Sequence, residues 1–428
     1  MDAVRIETIP VPEVGPDDIL CRVDATGVCT SNLKLIAQGS DHSLLGGWDL
    51  EKYPVILGEE GSLTVVDVGS AVEDVHVGER YAVQPAVDVA PMTNIERYRN
   101  AGDGMHKTVV GYTLDGMLAE YFLVPKEVRA GDCLVRLPDS DLAHFEVTLA
   151  EPISCVHKSQ EKHVHLYKES PSAPREARMG ILRGGTCVVI GAGTMGRLQV
   201  EMAMRQAPRN MIVCAKPGEA TDLLKATLVP KAERLGISMV IATPQDWIEA
   251  LHRIAPPGTD DVIVAIGSRE VQQEAMKHVA FAGVMNLFGG LRRGDHELTL
   301  DSLDVHYREV SIVGTSGGDP WDMRATLDIL AAGEIDSQKY VVGVGNLEHA
   351  RELLISMASQ KMNGRVILYP HATIPDFMRT TTWTRRGRPT RRGSGGRRSA
   401  RRAARPRASP ASSCPARVEI GTSSRFKN

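Results

Sequence analysis

The chain has 428 residues, 42% of them hydrophobic, and its 50 Lys and Arg against 53 Asp and Glu give a net charge of −3. That length allows two domains with filled cores, and no run approaches the ~18–20 apolar residues of a membrane helix. Seven scattered cysteines without a C-x-x-C pair exclude a disulfide framework and a cysteine-only structural zinc site. The charge is unevenly spread. Residues 379–428 carry +14, from 14 Arg and one Lys against Glu419, which leaves −17 on residues 1–378, the difference between −3 and +14. The first 20 residues hold no apolar signal core, so a cytoplasmic location without a membrane partner is expected.

In chain order, residues 1–30, 53–90 and 116–125 read as short β-branched strands between Gly and Pro turns, which predicts an irregular β barrel-like domain over 1–157. After Glu151 a helix-compatible stretch and a polar insert, "KHVHLYKESPSAPREARMG", lead into a different pattern. The strands "TCVVIG", "NMIVCA", "ISMVIA", "DDVIVAIG", "GVMNLFGG" and "VSIVG" alternate with helices. This alternation predicts right-handed βαβ units and a doubly wound parallel sheet over 158–318, hence an α/β protein. Residues 319–374 read as helix, loop, helix and strand returning to the first domain. From Pro375 to residue 428 the chain is rich in Arg, Gly, Ser and Pro, and a disordered tail is expected. Dense Arg neutralises phosphates, but a solvated appendage is the favoured reading, and nucleic acid is not expected as a partner.

The most specific local signal is Cys187–Gly196, an apolar strand running into G-x-G-x-x-G and then a helix. Gly191 permits the tight turn, Gly193 lets the main chain approach a pyrophosphate, and Gly196 lets the helix pack on the strand. Thr194 and Met195 lie between the last two glycines, at the helix start. A dinucleotide site is predicted here.

Three clusters elsewhere carry possible chemistry: "GVCTSN" around Cys29, "GEE" with Glu59 and Glu60, and "AEPISC" with Glu151. One thiolate and several carboxylates from separate loops suit a divalent cation, since zinc accepts S and O ligands and a catalytic site needs three protein ligands. Each cluster also has an ordinary structural reading: a buried small cysteine, solvated surface glutamates, a helix-start charge. Spacing alone does not make a metal site.

Taken together and in order, "GVCTSN", "GEE", "GERYAVQP", "AEPISC" and "GAGTMG" resemble the zinc-dependent medium-chain dehydrogenase/reductase family, the alcohol and sorbitol dehydrogenase group. Within it, "KLIAQGSDH", "MGILRGG" and "DVHYREVSIVGTSGGDPWDM" are most similar to the L-sorbose 1-phosphate reductase branch, and the likeness covers about residues 1–370. The resemblance implies a GroES-like β barrel catalytic domain followed by a Rossmann domain, one catalytic Zn²⁺, NAD or NADP, and a homo-oligomer, dimer or tetramer. It implies Cys29 as thiolate ligand, Ser31 as the hydroxyl passing the substrate proton, Glu60 as a carboxylate completing or exchanging coordination, and Glu151 as the last protein ligand.

The family's histidine ligand falls on Glu59, which replaces a neutral donor with an anion and weakens the metal as a Lewis acid. The four-cysteine structural zinc lobe is missing, with no Cys in 91–112. At the end of the second strand, where NAD-preferring members carry an acid, this chain has Lys216, which favours NADP(H). The implied reaction is hydride transfer between a nicotinamide and a secondary alcohol or ketone of a polyol or sugar phosphate. Lys34 or the Arg292–Arg293 pair could meet a substrate phosphate. The alternatives are a metal-free quinone or enone reductase of the same fold and a non-catalytic dinucleotide-binding protein.

Overall fold

The computed structural model describes residues 4–45, 48–87, 108–292, 294–359, 362–381, 383–384 and the strand at 416–420. The first strands are β1 (Val4–Thr8), β2 (Ile19–Val28), β3 (Val55–Ile56), β4 (Glu60–Val68), β5 (Arg80–Val83), β6 (Ala86–Val87), β7 (Thr108–Val109), β8 (Tyr121–Leu123) and β9 (Leu134–Arg136). Helix α1 (Ser31–Gln38) follows β2, and α2 (Lys126–Ala130) lies between β8 and β9. Later in the chain β18 (Val341–Gly345), β19 (Arg365–Leu368) and β20 (Met378–Arg379) return to the same sheet, whose order is β20-β18-β19-β2-β4-β5-β9 with β8 also on β2. Strands from the two ends of the chain thus share one sheet. Ile19, Cys21 and Val23, which alternate along β2, all enter one apolar core with Leu63 and Val65 of β4.

Helix α3 (His144–Glu161) carries the chain between the domains, and the polar insert after it folds as the hairpin β10 (Val164–Tyr167) and β11 (Glu176–Met179). Six parallel strands follow: β12 (Thr186–Ile190), β13 (Asn210–Cys214), β14 (Ser238–Ala242), β15 (Thr259–Val264), β16 (Val279–Asn286) and β17 (Ser311–Val313). Their spatial order, β14-β13-β12-β15-β16-β17, is the predicted doubly wound sheet. Its connections hold α4 (Thr194–Met204), α5 (Glu219–Thr227), α6 (Val229–Arg234), α7 (Trp247–Ile254), α8 (Arg269–Met276) and α9 (Ser302–Tyr307), and α10 (Pro320–Ala331) and α11 (Ala350–Ser359) follow. Alternation along β12 explains the two covered faces. Cys187 and Val189 pack with Val200 and Leu224 of α4 and α5, whereas Val188 and Ile190 pack with Trp247 and Met276 of α7 and α8.

The ordered chain runs past Pro375, beyond the expected start of the tail. Met378 pairs with Val344, and the buried Trp383 donates its indole N–H to the Tyr369 hydroxyl at 3.1 Å. The physical reason is composition at short range: Phe377, Met378 and Trp383 supply apolar surface inside a stretch otherwise poor in it. Residues 385–415 lie outside the described residues, and Ala416–Ile420 forms β21, hydrogen-bonded between β1 and β3.

Two buried polar networks tie the domains and their insert together. Glu201 on α4 accepts from the Tyr340 hydroxyl at 2.7 Å, meets Lys231 of α6 at 2.7 Å, and accepts the Asp336 N–H at 3.2 Å. Arg197, one turn earlier and 1% exposed, covers the Tyr340 ring and donates to the Asn363 carbonyl. Replacing Glu201 by Ala leaves the buried Tyr340 hydroxyl without its acceptor and Lys231, which keeps the Glu334 carbonyl, without its counter-charge. The expected loss is about 3 kcal/mol, read as a fall in the urea midpoint.

The second network is a clasp. Asp261 at the start of β15 accepts from His163 at 2.7 Å, from the hairpin's His165 at 2.8 Å and from the Leu182 N–H at 2.8 Å. Burial alone would lower the His165 value, but the Asp261 bond and charge outweigh it and raise it above 6.5. Burial likewise opposes ionisation of Asp261, yet the two histidines hold it below 3.8. The clasp is thus complete between pH 3.8 and 6.5, weakens above as His165 loses its proton, and weakens below as Asp261 gains one. Asp261→Asn is expected to lower the urea midpoint most near pH 6 and to flatten its fall between about pH 6 and 8. An unchanged pH profile would show that the clasp does not titrate.

Candidate functional site

The glycine turn has the geometry its sequence requires. Gly191 has φ +118°, and a Cβ there would lie 2.8 Å from Ile266 Cγ2. A Cβ on Gly196 would come within 2.0 Å of the Gly191 carbonyl oxygen, whereas one on Gly193 would meet nothing within 4 Å. Two glycines are required by packing and the third keeps an open approach. Gly193, Thr194, Met195 and Gly196 line a cleft of about 540 Å³ together with Cys29, Ser31, Glu59 and Glu151. The dinucleotide turn and the suspected metal ligands face the same space.

Each ligand reaches the cleft by a distinct local route. Cys29 follows the last residue of β2, and Ser31 opens α1. Gly58, at φ +103°, turns the chain so that Glu59 and Glu60 enter β4, where Gly27 lies opposite Glu60. A Cβ on Gly27 would fall 2.1 Å from Glu60 Oε2, so the glycine makes room for that carboxylate. Glu151 projects from α3, and the Cys155 thiol donates to its Oε1 at 3.4 Å. Ligand atoms of Cys29, Glu59 and Glu60 all lie within 4.8 Å of one another. Glu151 stands outside that trio but lines the same cleft, and the Ser31 hydroxyl donates to Glu59 Oε1.

Arg365, at the start of β19, is the residue that sequence reading missed. Its Nη1 lies 3.0 Å from Glu60 Oε1 and donates to Cys29 Sγ at 3.3 Å, while Nη2 reaches Met195 Sδ at 3.3 Å. One guanidinium thereby joins the acidic cluster to the glycine turn. Nothing around "NGRVILYP" marks this arginine. It becomes legible only through the pairing of Val366 with Val28, which carries β19 alongside the end of β2.

The electrostatics suit a cation. Burial raises the Cys29 thiol, Glu59 raises it further, and Arg365 opposes both. Burial followed by neighbouring carboxylates also raises Glu151, and burial raises Glu60 against the pull of Arg365. Glu60 Oε2 is buried without a hydrogen-bond partner, and Oε1 meets the guanidinium alone. A buried set of one sulfur and three carboxyls with a single positive partner is the donor chemistry that a divalent ion neutralises. These residues fit such an ion, with more anionic oxygen than a histidine-containing set provides.

Two other groups among the described residues have ligand-type donors, His163/His165/Asp261 and His157/Glu161/Asp322. Hydrogen bonds account for the close contacts in both, including His157 to Asp322 at 2.7 Å. Lys216 is exposed directly after buried Ala215 and lies outside the cleft lining. The nearest acid, Glu219, already accepts from Asn363 at 2.8 Å. Of the phosphate candidates, Lys34 lines the cleft; Arg292 does not, and Arg293 lies outside the described residues. Among the described residues no helix is long and apolar enough to cross a membrane.

Comparison with known proteins matches both domains. The alcohol dehydrogenase GroES-like domain matches residues 15–139 and the zinc-binding dehydrogenase domain matches 221–332. The glycine turn falls between those ranges and is placed by the structure. Mannitol-1-phosphate 5-dehydrogenase of Aliivibrio fischeri is 26% identical over 387 residues, covering 87% of this chain and 85% of that protein. L-sorbose 1-phosphate reductase of Klebsiella pneumoniae is 27% identical over 380 residues, covering 87% of each. Among solved structures, 2R,3R-butanediol dehydrogenase from Bacillus subtilis superposes with a TM-score of 0.65 at 22% identity, covering 86% of this chain and 96% of that one. It shares the fold. Two matched domains, a doubly wound sheet and a cleft between glycine turn and acidic cluster make this chain a member of the zinc-binding medium-chain dehydrogenase family, an NAD(P)-dependent alcohol/polyol dehydrogenase.

Proposed function

We propose that this protein interconverts the secondary alcohol and ketone of a polyol or sugar phosphate, within the L-sorbose 1-phosphate reductase branch, with NADP(H) as redox partner. The observation that carries the reading is the convergence of Cys29, Glu59 and Glu60 within 4.8 Å, with Cys29 and Glu59 lining the same cleft as the glycine turn. A zinc ion held there would supply the Lewis acid for the substrate oxygen, and a nicotinamide would supply or take up the hydride. Cys29, Glu59 and Glu151 are the residues that would hold the ion, and Glu60 is the reserve carboxylate that Arg365 keeps in place. Ser31 holds the proton of the substrate hydroxyl and passes it to Glu59, the carboxylate its own hydroxyl already addresses. The main chain at Gly193 receives the pyrophosphate, and the α4 N-terminus complements its charge. The protein works as a homo-oligomer, dimer or tetramer, for which Phe281 of β16 and Leu303 and Tyr307 of α9 supply exposed apolar surface next to the edge strand β17.

Elemental analysis of the purified protein, together with nicotinamide absorbance over polyols and sugar phosphates, tests the reading. About one zinc per chain and activity on this class support it. A metal-free protein that reduces quinones or enones overturns it.

Glu59→His supplies the neutral donor the site lacks. Zinc retention against a chelator series is expected to strengthen by roughly tenfold, and turnover to rise. No gain would remove Glu59 from the coordination sphere. Lys216→Asp exchanges a cation for an acceptor at the second strand end. The NADP-to-NAD ratio of kcat/KM is expected to fall by about tenfold or more, and an unaltered ratio would place the 2′-phosphate elsewhere.

A further inference from the structure

Outside the cleft, His163, His165 and Asp261 form a second cluster of ligand-type side chains, and none of the three lines the cleft. Their ligand atoms all lie within 4.8 Å of one another. The His163 and Asp261 side chains are fully buried, and that of His165 is 11% exposed. The two histidines stand two residues apart at the start of β10, so strand alternation sends both imidazoles to one side, away from the exposed Val164 and Leu166. That side faces β15, where Asp261 is fixed between Cys187 of β12 and Val284 of β16. Asp261 Oδ2 accepts the Leu182 N–H, which leaves Oδ1 turned to the histidines. Hydrogen bonds explain the short distances and leave two features unexplained. A single oxygen, Oδ1, meets both imidazole nitrogens, at 2.7 and 2.8 Å. The outer nitrogen of His163, Nε2, is buried without a partner, a burial cost set against one hydrogen bond through Nδ1.

We infer that His163, His165 and Asp261 are a metal site separate from the cleft, which takes a divalent cation of the Zn²⁺, Co²⁺ or Ni²⁺ class and locks the inserted hairpin onto the doubly wound sheet. Two imidazole nitrogens and one carboxylate oxygen suit those ions, whereas Ca²⁺ and Mg²⁺ favour oxygen throughout. With the ion in place each ring carries its proton on the nitrogen facing away, and any second proton leaves to solvent. Charge balances as well. Asp261 supplies one negative charge, and Asp260, which accepts the Thr186 N–H at 2.7 Å and acts on His165, supplies another. The Leu182 N–H holds the carboxylate in orientation, the support that a metal-ligating carboxylate needs. His165 is the member open to solvent, so water reaches the fourth position from that side. The arrangement also straddles the insert. His163 and His165 precede its turn and Leu182 follows β11, so one ion closes both ends against β15. An isolated hairpin is marginally stable in water, and this one exposes Leu166 and Met179 on its apolar face.

The test uses the full-length protein with Ni²⁺ alone as the probe. A chelator wash precedes calorimetric titration, and any ion taken up by the cleft is common to all variants. The unaltered protein is expected to bind one Ni²⁺ per chain that His165→Gln and Asp261→Asn do not, their affinity at this site falling by about 100-fold or more. In the unaltered protein alone, that ion is expected to raise the urea midpoint and to slow amide hydrogen exchange across residues 164–179. His165→Gln changes a partly exposed side chain, so it carries the test where Asp261→Asn fails to fold. His278→Gln breaks up the surface pair of His252 and His278 and is expected to leave the binding intact. Equal Ni²⁺ uptake by the unaltered protein and His165→Gln overturns the inference, as does uptake lost only with His278→Gln. Uptake without slowed exchange in the hairpin overturns it too. Dehydrogenase turnover plays no part in these readings, so the site stands or falls independently of the redox assignment.

Discussion

The arrangement depends on one guanidinium. Arg365 contacts Glu60, Cys29 and Met195 at 3.0–3.3 Å, and it is the positive group directly paired with a buried cluster of one thiol and three carboxyls. Without it the trio near Cys29 would carry its mutual repulsion uncompensated, in surroundings where burial already disfavours ionisation. With it, Glu60 is fixed across the strand pair, in space that Gly27 leaves open. The same side chain touches Met195 on the helix that follows the glycine turn, so one residue joins the acidic cluster to that turn.

The substitution of glutamate for the family's histidine gains its meaning in this setting. Glu59 is only 8% exposed and accepts from the Ser31 hydroxyl, so its carboxylate is held in place from within the fold. A neutral imidazole in its place would reduce the negative charge that Arg365 and a cation must offset. The site is thus biased toward oxygen donors.

Local features were legible in the sequence and long-range ones were not. The glycine turn could be read because strand, turn and helix are contiguous, and each glycine's constraint comes from atoms nearby, such as Ile266 and the Gly191 carbonyl. Cys29, Glu59, Glu60 and Glu151 were found as motifs, but their meeting depends on the β2–β4 register and on α3 passing beneath both strands. Arg365, the choice of Lys34 over Arg292, and the His165–Asp261 clasp across 96 residues have no local signature at all. The reach of the barrel sheet past Pro375 was not legible because Trp383 is a single buried aromatic in a stretch whose composition reads as tail.

The pairing of β19 with β2 brings Arg365 to Cys29 across 336 residues of intervening chain. On a ribosome adding about 5–20 residues per second, the thiol and its neighbouring carboxyls emerge roughly 15–70 s before their counter-charge. The acidic half of the centre therefore cannot reach its final state during translation of the first domain.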